Sequence, residues 1–145
     1  MTKQVILLVE DSATDEALTL RALRKSNIAN PVVVTRDGAA ALDYLFLQGD
    51  FAGRDPEEAP QVILLDLNLP KVGGLEVLRR IRADERTKRL PVVILTSSNE
   101  DKDLLEGYDG GANSYVVKPV DFTQFAEAVK QLGMYWLVLN QGAPG

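Results

Sequence analysis

An α/β fold built on a five-stranded, doubly wound parallel sheet is the architecture this sequence predicts. Four short runs rich in Val, Ile and Leu recur along its 145 residues without polar alternation, a shorter fifth comes later, and segments of helical spacing lie between and after them. Strands covered on both faces read as continuous apolar runs, whereas a sheet with one wet face alternates. Parallel neighbours need a crossover between them, and such crossovers are right-handed. Strand–helix pairs in series therefore wind into a sheet with helices on both faces.

The strands fall at Val5–Val9, Val32–Thr35, Val62–Leu65, Val92–Leu95 and Ser114–Val117, the last ending at Lys118-Pro119. After the first, roughly residues 14–26 place Ala17, Leu20, Ala22 and Leu23 on one side, with Ser12 and Asp15 available as caps. Asp37 is placed to cap a second helix carrying Ala41, Leu42, Leu45 and Phe46. Leu75, Leu78 and Ile81 form the stripe of a third. A weaker fourth is predicted from about Asp101 to Tyr108, stopped by Gly110-Gly111, and Phe122, Phe125, Val129, Leu132 and Trp136 mark the fifth. The one irregular stretch, Gly49 to Pro60, reads as a long loop before the third strand. With no internal repeat and little chain after the fifth helix, a single domain over residues 1–145 is expected. Its core would span 5–132, with a C-terminal helix extension and tail over 133–145.

Composition narrows the function. A chain of this length buries a core without disulfide or metal staples, and its 46% hydrophobic content is ordinary for a folded domain. No apolar run reaches the roughly 18 residues of a membrane span. The opening Met-Thr-Lys-Gln meets the first strand without a cleavage-like site, so neither a membrane association nor secretion is expected. The lack of cysteine points to a cytoplasmic address. A net charge of −5 argues against nucleic acid as a partner, since phosphate contacts need clustered Lys and Arg. There is no histidine. The commonest proton shuttle and transition-metal ligand is therefore missing, and chemistry must rest on carboxylates, hydroxyls, lysine or a hard oxygen-bound cation.

In open parallel sheets, ligands bind outside the carboxyl ends of the strands. Strand one ends in Glu10-Asp11, strand three in Asp66, strand four in Thr96-Ser97 and strand five in Lys118-Pro119. Each alone reads as a cap, a turn residue or a surface lysine. Together they are complementary. Three carboxylates held close repel unless a cation intervenes, and Mg²⁺ takes one or two carboxylates plus water and phosphate oxygens. Asp66 would then be a nucleophile towards phosphorus. Lys118 and the Thr96 hydroxyl would stabilise the phosphoryl oxygens.

The segments Leu8-Val9-Glu10-Asp11, Leu64-Leu65-Asp66-Leu67-Asn68-Leu69-Pro70, Pro91-Val92-Val93-Ile94-Leu95-Thr96 and Tyr115-Val116-Val117-Lys118-Pro119 resemble the successive signatures of response-regulator receiver domains. The resemblance runs from residue 5 to about residue 132. It implies the flavodoxin-like (βα)5 receiver fold with strand order 2-1-3-4-5. It also implies a two-component phosphorelay protein that accepts a phosphoryl group from a histidine kinase. By position, Asp66 matches the phosphoacceptor, and Glu10, Asp11, Asp66 and the Asn68 carbonyl match the Mg²⁺ site. Asp66, Thr96 and Lys118 match the catalytic set, and Thr96 and Tyr115 the switch pair. The long loop at residues 49–60, Asp66 to Lys71, Thr96 to Glu100 and Tyr135-Trp136-Leu137 are similar to the single-domain regulators that partner bacterial phytochromes. A phytochrome histidine kinase is the partner this implies.

Two rival readings meet specific obstacles. A phosphohydrolase of the haloacid-dehalogenase type needs a second Asp two positions after the nucleophile, where this chain has Asn68. A flavodoxin-like cofactor binder needs a loop after strand one that cradles phosphate, and Glu10-Asp11 would repel one. The stretch from Leu132 to Leu139 is apolar around the whole helical circumference. That predicts a two-fold homodimer with Tyr135, Trp136, Leu137 and Leu139 at its interface, and the resemblance to receivers implies the face of the fourth helix, fifth strand and fifth helix.

Overall fold

The computed structural model describes residues 5–26, 28, 30–56, 59–96, 110–112, 114–118 and 122–131. Five strands, β1 (Val5–Val9), β2 (Val32–Thr35), β3 (Pro60–Asp66), β4 (Val92–Thr96) and β5 (Ser114–Val117), form one sheet in the order β2-β1-β3-β4-β5. Every neighbouring pair is parallel. The described helices are α1 (Ala13–Lys25), α2 (Gly38–Phe46), α3 (Gly74–Ala83) and α4 (Phe122–Gln131). α4 is the fifth helix of the sequence reading. The stretch predicted as the fourth, about Asp101 to Tyr108, lies outside the described residues, as do Leu132, Trp136 and the 133–145 extension.

Period-two geometry sorts each apolar strand between two cores. Ile6 and Leu8, Val62 and Leu64, and Val93 and Leu95 face one side, where they meet Ala22 and Leu23 of α1 and Phe125 of α4. Leu7 and Val9, Ile63 and Leu65, and Val92 and Ile94 face the other, against Ala41, Leu42 and Leu45 of α2 and Val77, Leu78 and Ile81 of α3. Both faces of the central strands are dry, which is why those strands carry no polar alternation.

The outer strands depart from that expectation. Val32, Val33 and Val34 of β2 are only half-buried, and Tyr115 of β5 is exposed, because each of these strands borders a single neighbour. β3 also runs longer than predicted, from Pro60 to Asp66. Its proline stands at the first position, beside a register shift between Val5 and Ile6, where a missing N–H is tolerated.

Helix faces shifted too. On α1, Ala17 is exposed while Thr19 is buried with Ala22 and Leu23. On α2 the buried set includes Tyr44, and on α3 Val77 is buried while Leu75 is half-buried. The first part of the long loop packs against α2. A 3₁₀ turn at Gly49–Phe51 sets the Phe51 ring edge-on to Tyr44 at 5.1 Å. Arg54 lies 4.4 Å from the centre of the Tyr44 ring and donates to the Tyr44 carbonyl at 2.9 Å.

Asp37 caps α2 as predicted, its Oδ1 accepting from the Ala40 N–H at 2.7 Å. Gly74 opens α3 against the end of β3. A Cβ there would strike the Asp66 carbonyl oxygen and lie 2.6 Å from the Leu67 Cα, and backbone cannot yield as a flexible side chain can. Gly74→Ala should therefore cost about 1–3 kcal/mol by overpacking. Gly53→Ala, with nothing within 4 Å of the added carbon, should change stability by less than about 0.5 kcal/mol. Urea denaturation of the two variants checks this, and equal midpoints would refute the tight approach at Gly74.

Candidate functional site

The sheet register assembles the site. Val9 pairs with Leu65, so the next residues, Glu10 and Asp66, emerge side by side from β1 and β3. Asp66 pairs with Leu95 and Thr96 with Val117, which brings Lys118 out one step beyond the end of β5. Two strand spacings, roughly 10 Å, separate β5 from β3, a span that suits the long stem of lysine.

Lys118 crosses it. Its Nζ donates to Asp66 Oδ2 at 3.0 Å and to Asp15 Oδ2 at 3.0 Å, and it lies 2.6 Å from Glu10 Oε1. The Glu10 contact is close but off the hydrogen-bonding directions of that oxygen, so it is an ion pair first. Asp66 is held on both oxygens, because its Oδ1 accepts from the Asn68 N–H at 3.1 Å. Glu10 Oε2 accepts from the Ser12 N–H at 3.3 Å. Glu10 is fully buried and Asp66 is 4% exposed, whereas Asp11 is exposed. One carboxylate oxygen from each of Glu10, Asp11 and Asp66 lies within 4.8 Å of the others.

Such crowding leaves an electrostatic trace. Burial pushes the Glu10 carboxyl up to about 7 against the pull of Lys118, and the neighbouring Asp66 adds to the rise. Lys118 is also held above its ordinary value. Burial works against its charge, and its bonds to Glu10, Asp66 and Asp15 outweigh that. Two buried carboxylates, Glu10 and Asp66, beside an exposed third, Asp11, make the donor set that a hard divalent cation satisfies. The residues present fit such an ion.

Most of the predicted constellation is therefore brought together: Glu10, Asp11, Asp66, Asn68 and Lys118. Thr96 stands at the end of β4, but its hydroxyl lies outside the described part of the structure. Tyr115 lies on β5 and is 38% exposed. Tyr135, Trp136, Leu137 and Leu139 lie outside the described residues. One member was missed. Asp15, read as a cap, does not cap α1 with its carboxylate: Ser12 Oγ does so by accepting from the Asp15 N–H at 3.2 Å. The Asp15 carboxylate binds Lys118 instead, 103 residues along the chain.

A model of the response regulator receiver domain matches residues 6–130. This chain belongs to that family. As a receiver it is the signalling module of a two-component response regulator, and the family match gives no support to a haloacid-dehalogenase hydrolase. The receiver is 43% identical over 141 residues to the probable methanogenesis regulatory protein FilR2 of Methanothrix harundinacea, covering 97% of this chain and 88% of that one. Among solved structures, the bacteriophytochrome response regulator RtBRR is 54% identical with a TM-score of 0.87, over 99% of this chain and 86% of its own. The response regulator Rcp1 of Synechocystis sp. is 39% identical over 134 residues, 92% of this chain and 89% of its own. The Mn(2+)-bound form of Rcp1 gives a TM-score of 0.75 over 92% of this chain and 94% of its own.

The raised Glu10 value carries a pH signature. A carboxyl whose folded pKa exceeds its unfolded value contributes stability at low pH that is lost as pH rises through the folded value. In chelator, wild type should therefore lose ground to Glu10→Gln between about pH 4.5 and 7, by roughly 1–3 kcal/mol. Urea midpoints across pH check this, and parallel curves would show that Glu10 titrates normally.

Proposed function

We propose that this receiver takes a phosphoryl group onto Asp66 from the phosphohistidine of a bacterial phytochrome kinase, in a Mg²⁺-dependent transfer. The observation that carries it is Asp66 itself, a nearly buried carboxylate held by the Asn68 N–H and Lys118 Nζ beside Glu10 and Asp11. The likeness to the bacteriophytochrome response regulator RtBRR supports the choice of kinase.

Each residue has a task that follows from its place. An Asp66 oxygen forms a bond to phosphorus while the donor's P–N bond breaks, and the electron pair leaves with the kinase imidazole. The Asn68 N–H fixes Asp66 Oδ1, which limits the rotation of the carboxylate. Lys118, already 3.0 Å from Asp66 Oδ2, is placed to neutralise the phosphoryl oxygens as charge builds there. Glu10, Asp11, Asp66 and the Asn68 carbonyl would hold Mg²⁺, which supplies charge neutralisation for the incoming phosphoryl group. The Mn(2+)-bound form of Rcp1 supports a divalent ion in this kind of site. Thr96 and Tyr115 form the switch: the hydroxyl moves towards the phosphoryl group and the ring turns inward. The receiver's own side chains catalyse its phosphorylation and dephosphorylation. Its output is a change of shape or of pairing in a two-fold homodimer, with nucleic acid and membrane playing no part.

With a small phosphodonor and Mg²⁺, Asp66 alone should be modified, and Asp66→Asn should lose all labelling while keeping its shape. A mutant that still labels would overturn the assignment. Asp11→Asn should weaken Mg²⁺ binding by at least about tenfold, since it puts a neutral group where the ion takes an anion. Titration of intrinsic fluorescence reads this directly, and an unchanged affinity would remove Asp11 from the ligand set. For the dimer, light scattering on the full chain and on Trp136→Ala decides: a wild-type monomer at tens of micromolar, with and without a phosphate mimic, excludes it.

A further inference from the structure

Asp15 stands out because its contact is not needed where it sits. It occupies the third position of α1 after the Ser12 cap. In a capping box an acid at that position reaches back to the N–H of the cap residue. Here the Ser12 N–H donates to Glu10 Oε2 instead, and the Asp15 carboxylate turns away to Lys118 Nζ at 3.0 Å. A favourable helix dipole explains an acid in the first turn, but not its aim at a lysine from β5.

An ammonium has three N–H donors and no more. Lys118 gives two of them to Asp15 and Asp66, and its Nζ pairs with Glu10 at 2.6 Å. Glu10 is fully buried and Asp66 nearly so, whereas the Asp15 side chain is 34% exposed at the mouth of the site. A phosphoryl group bound at Asp66 would share Lys118 with that exposed carboxylate.

We infer that Asp15 is a positioning residue that acts through Lys118, a third carboxylate that shares its ammonium and lowers the rate at which Asp66 is phosphorylated. This rests on the reading of Asp66 as the phosphoacceptor. The reaction is unchanged by Asp15. With acetyl phosphate, an Asp66 oxygen bonds to phosphorus as the donor's P–O bond breaks and acetate leaves with the electron pair. What Asp15 alters is the field in which two anions meet. Its own charge opposes the donor, and its hold on Lys118 competes with the phosphoryl oxygens for the same N–H groups.

The full chain is treated with acetyl phosphate and MgCl₂, and the phosphorylation rate is followed for wild type, Asp15→Asn, Asp15→Ser and Asp15→Glu. The two neutral variants should react about three- to tenfold faster, and Asp15→Glu should stay near the wild-type rate. The gain should shrink as ionic strength rises, because screening weakens an exposed charge. A residue that merely stabilised the helix would slow the reaction, or act alike at all salt concentrations. In a Lys118→Ala background the same Asp15→Asn change should give a clearly smaller gain, since the competition for the ammonium is gone. Neutral variants that react no faster than wild type, or an equal gain without Lys118, would overturn the inference. Two neutral substitutions guard against one that fails to fold, and urea midpoints show which do. Labelling of Asp66→Asn would instead sink the underlying reading, an outcome distinct from unaltered rates in the Asp15 variants.

Discussion

The structure is organised around negative charge that cannot disperse. Apolar strands aligned by the register Val9 to Leu65 and Asp66 to Leu95 carry Glu10 and Asp66 to the same rim, where burial denies them water. Two carboxylates brought this close and this deep need compensation of like strength. Lys118 supplies it from the far strand of the sheet, and the arrangement holds only because β5 ends where it does. Shifting any of the central strands by one residue would turn its apolar set towards the wrong layer. The packing of the two cores and the assembly of the site are thus one constraint.

The loop between β3 and α3 shows how that constraint is enforced. It carries Asn68, whose N–H must stay on Asp66 Oδ1. At one end Gly74 lies so close to the Asp66 carbonyl that a side chain would not fit, and the Gly74 N–H donates to the Leu67 carbonyl at 3.1 Å. At the other, Gly38 at the start of α2 lies under the Val72 carbonyl with no room for a Cβ, and its N–H points to the Pro70 carbonyl at 3.4 Å. Lys71 adopts the left-handed region at φ 67°, a conformation that favours glycine, and its ammonium reaches Asp37 at 3.5 Å. A loop clamped by two helix starts presents its backbone N–H groups in fixed positions, which a reacting carboxylate requires.

Much of this was legible in the sequence. Buried strands announce themselves because both faces select the same residue types, and strand ends announce the site because only polar groups stand there. Asp37 as a cap follows from local chemistry alone. What was not legible depends on layers the chain reaches later. Thr19 in place of Ala17, and Tyr44 beside Leu45, reflect how α1 and α2 rotate against their neighbours, a rotation that a stripe of small and medium side chains leaves open. β2 reads like the central strands because valine suits any strand, yet it has only one neighbour. Asp15 was hidden for a different reason. An acid in a first helical turn is explained locally, so its long-range partner leaves no local signature.

Pre-organisation in this site is also restraint. Lys118 helps hold Asp66 in place, yet a lone pair that accepts from an ammonium is a poorer nucleophile than a free one. Asp66 has both oxygens engaged, one by the Asn68 N–H and one by Lys118. Glu10 sits at about 7, so near neutrality it is divided between a form that repels Asp66 and one that does not. A divalent cation among Glu10, Asp11 and Asp66 would favour the ionised form of Glu10 and compete with Lys118 for the same oxygens. That would leave the Lys118 ammonium freer to meet an incoming anion. On the proposed reading, the same residues would stabilise a resting state when cation-free and would form a phosphoryl pocket with a cation bound, the balance set by how many carboxylates share one lysine.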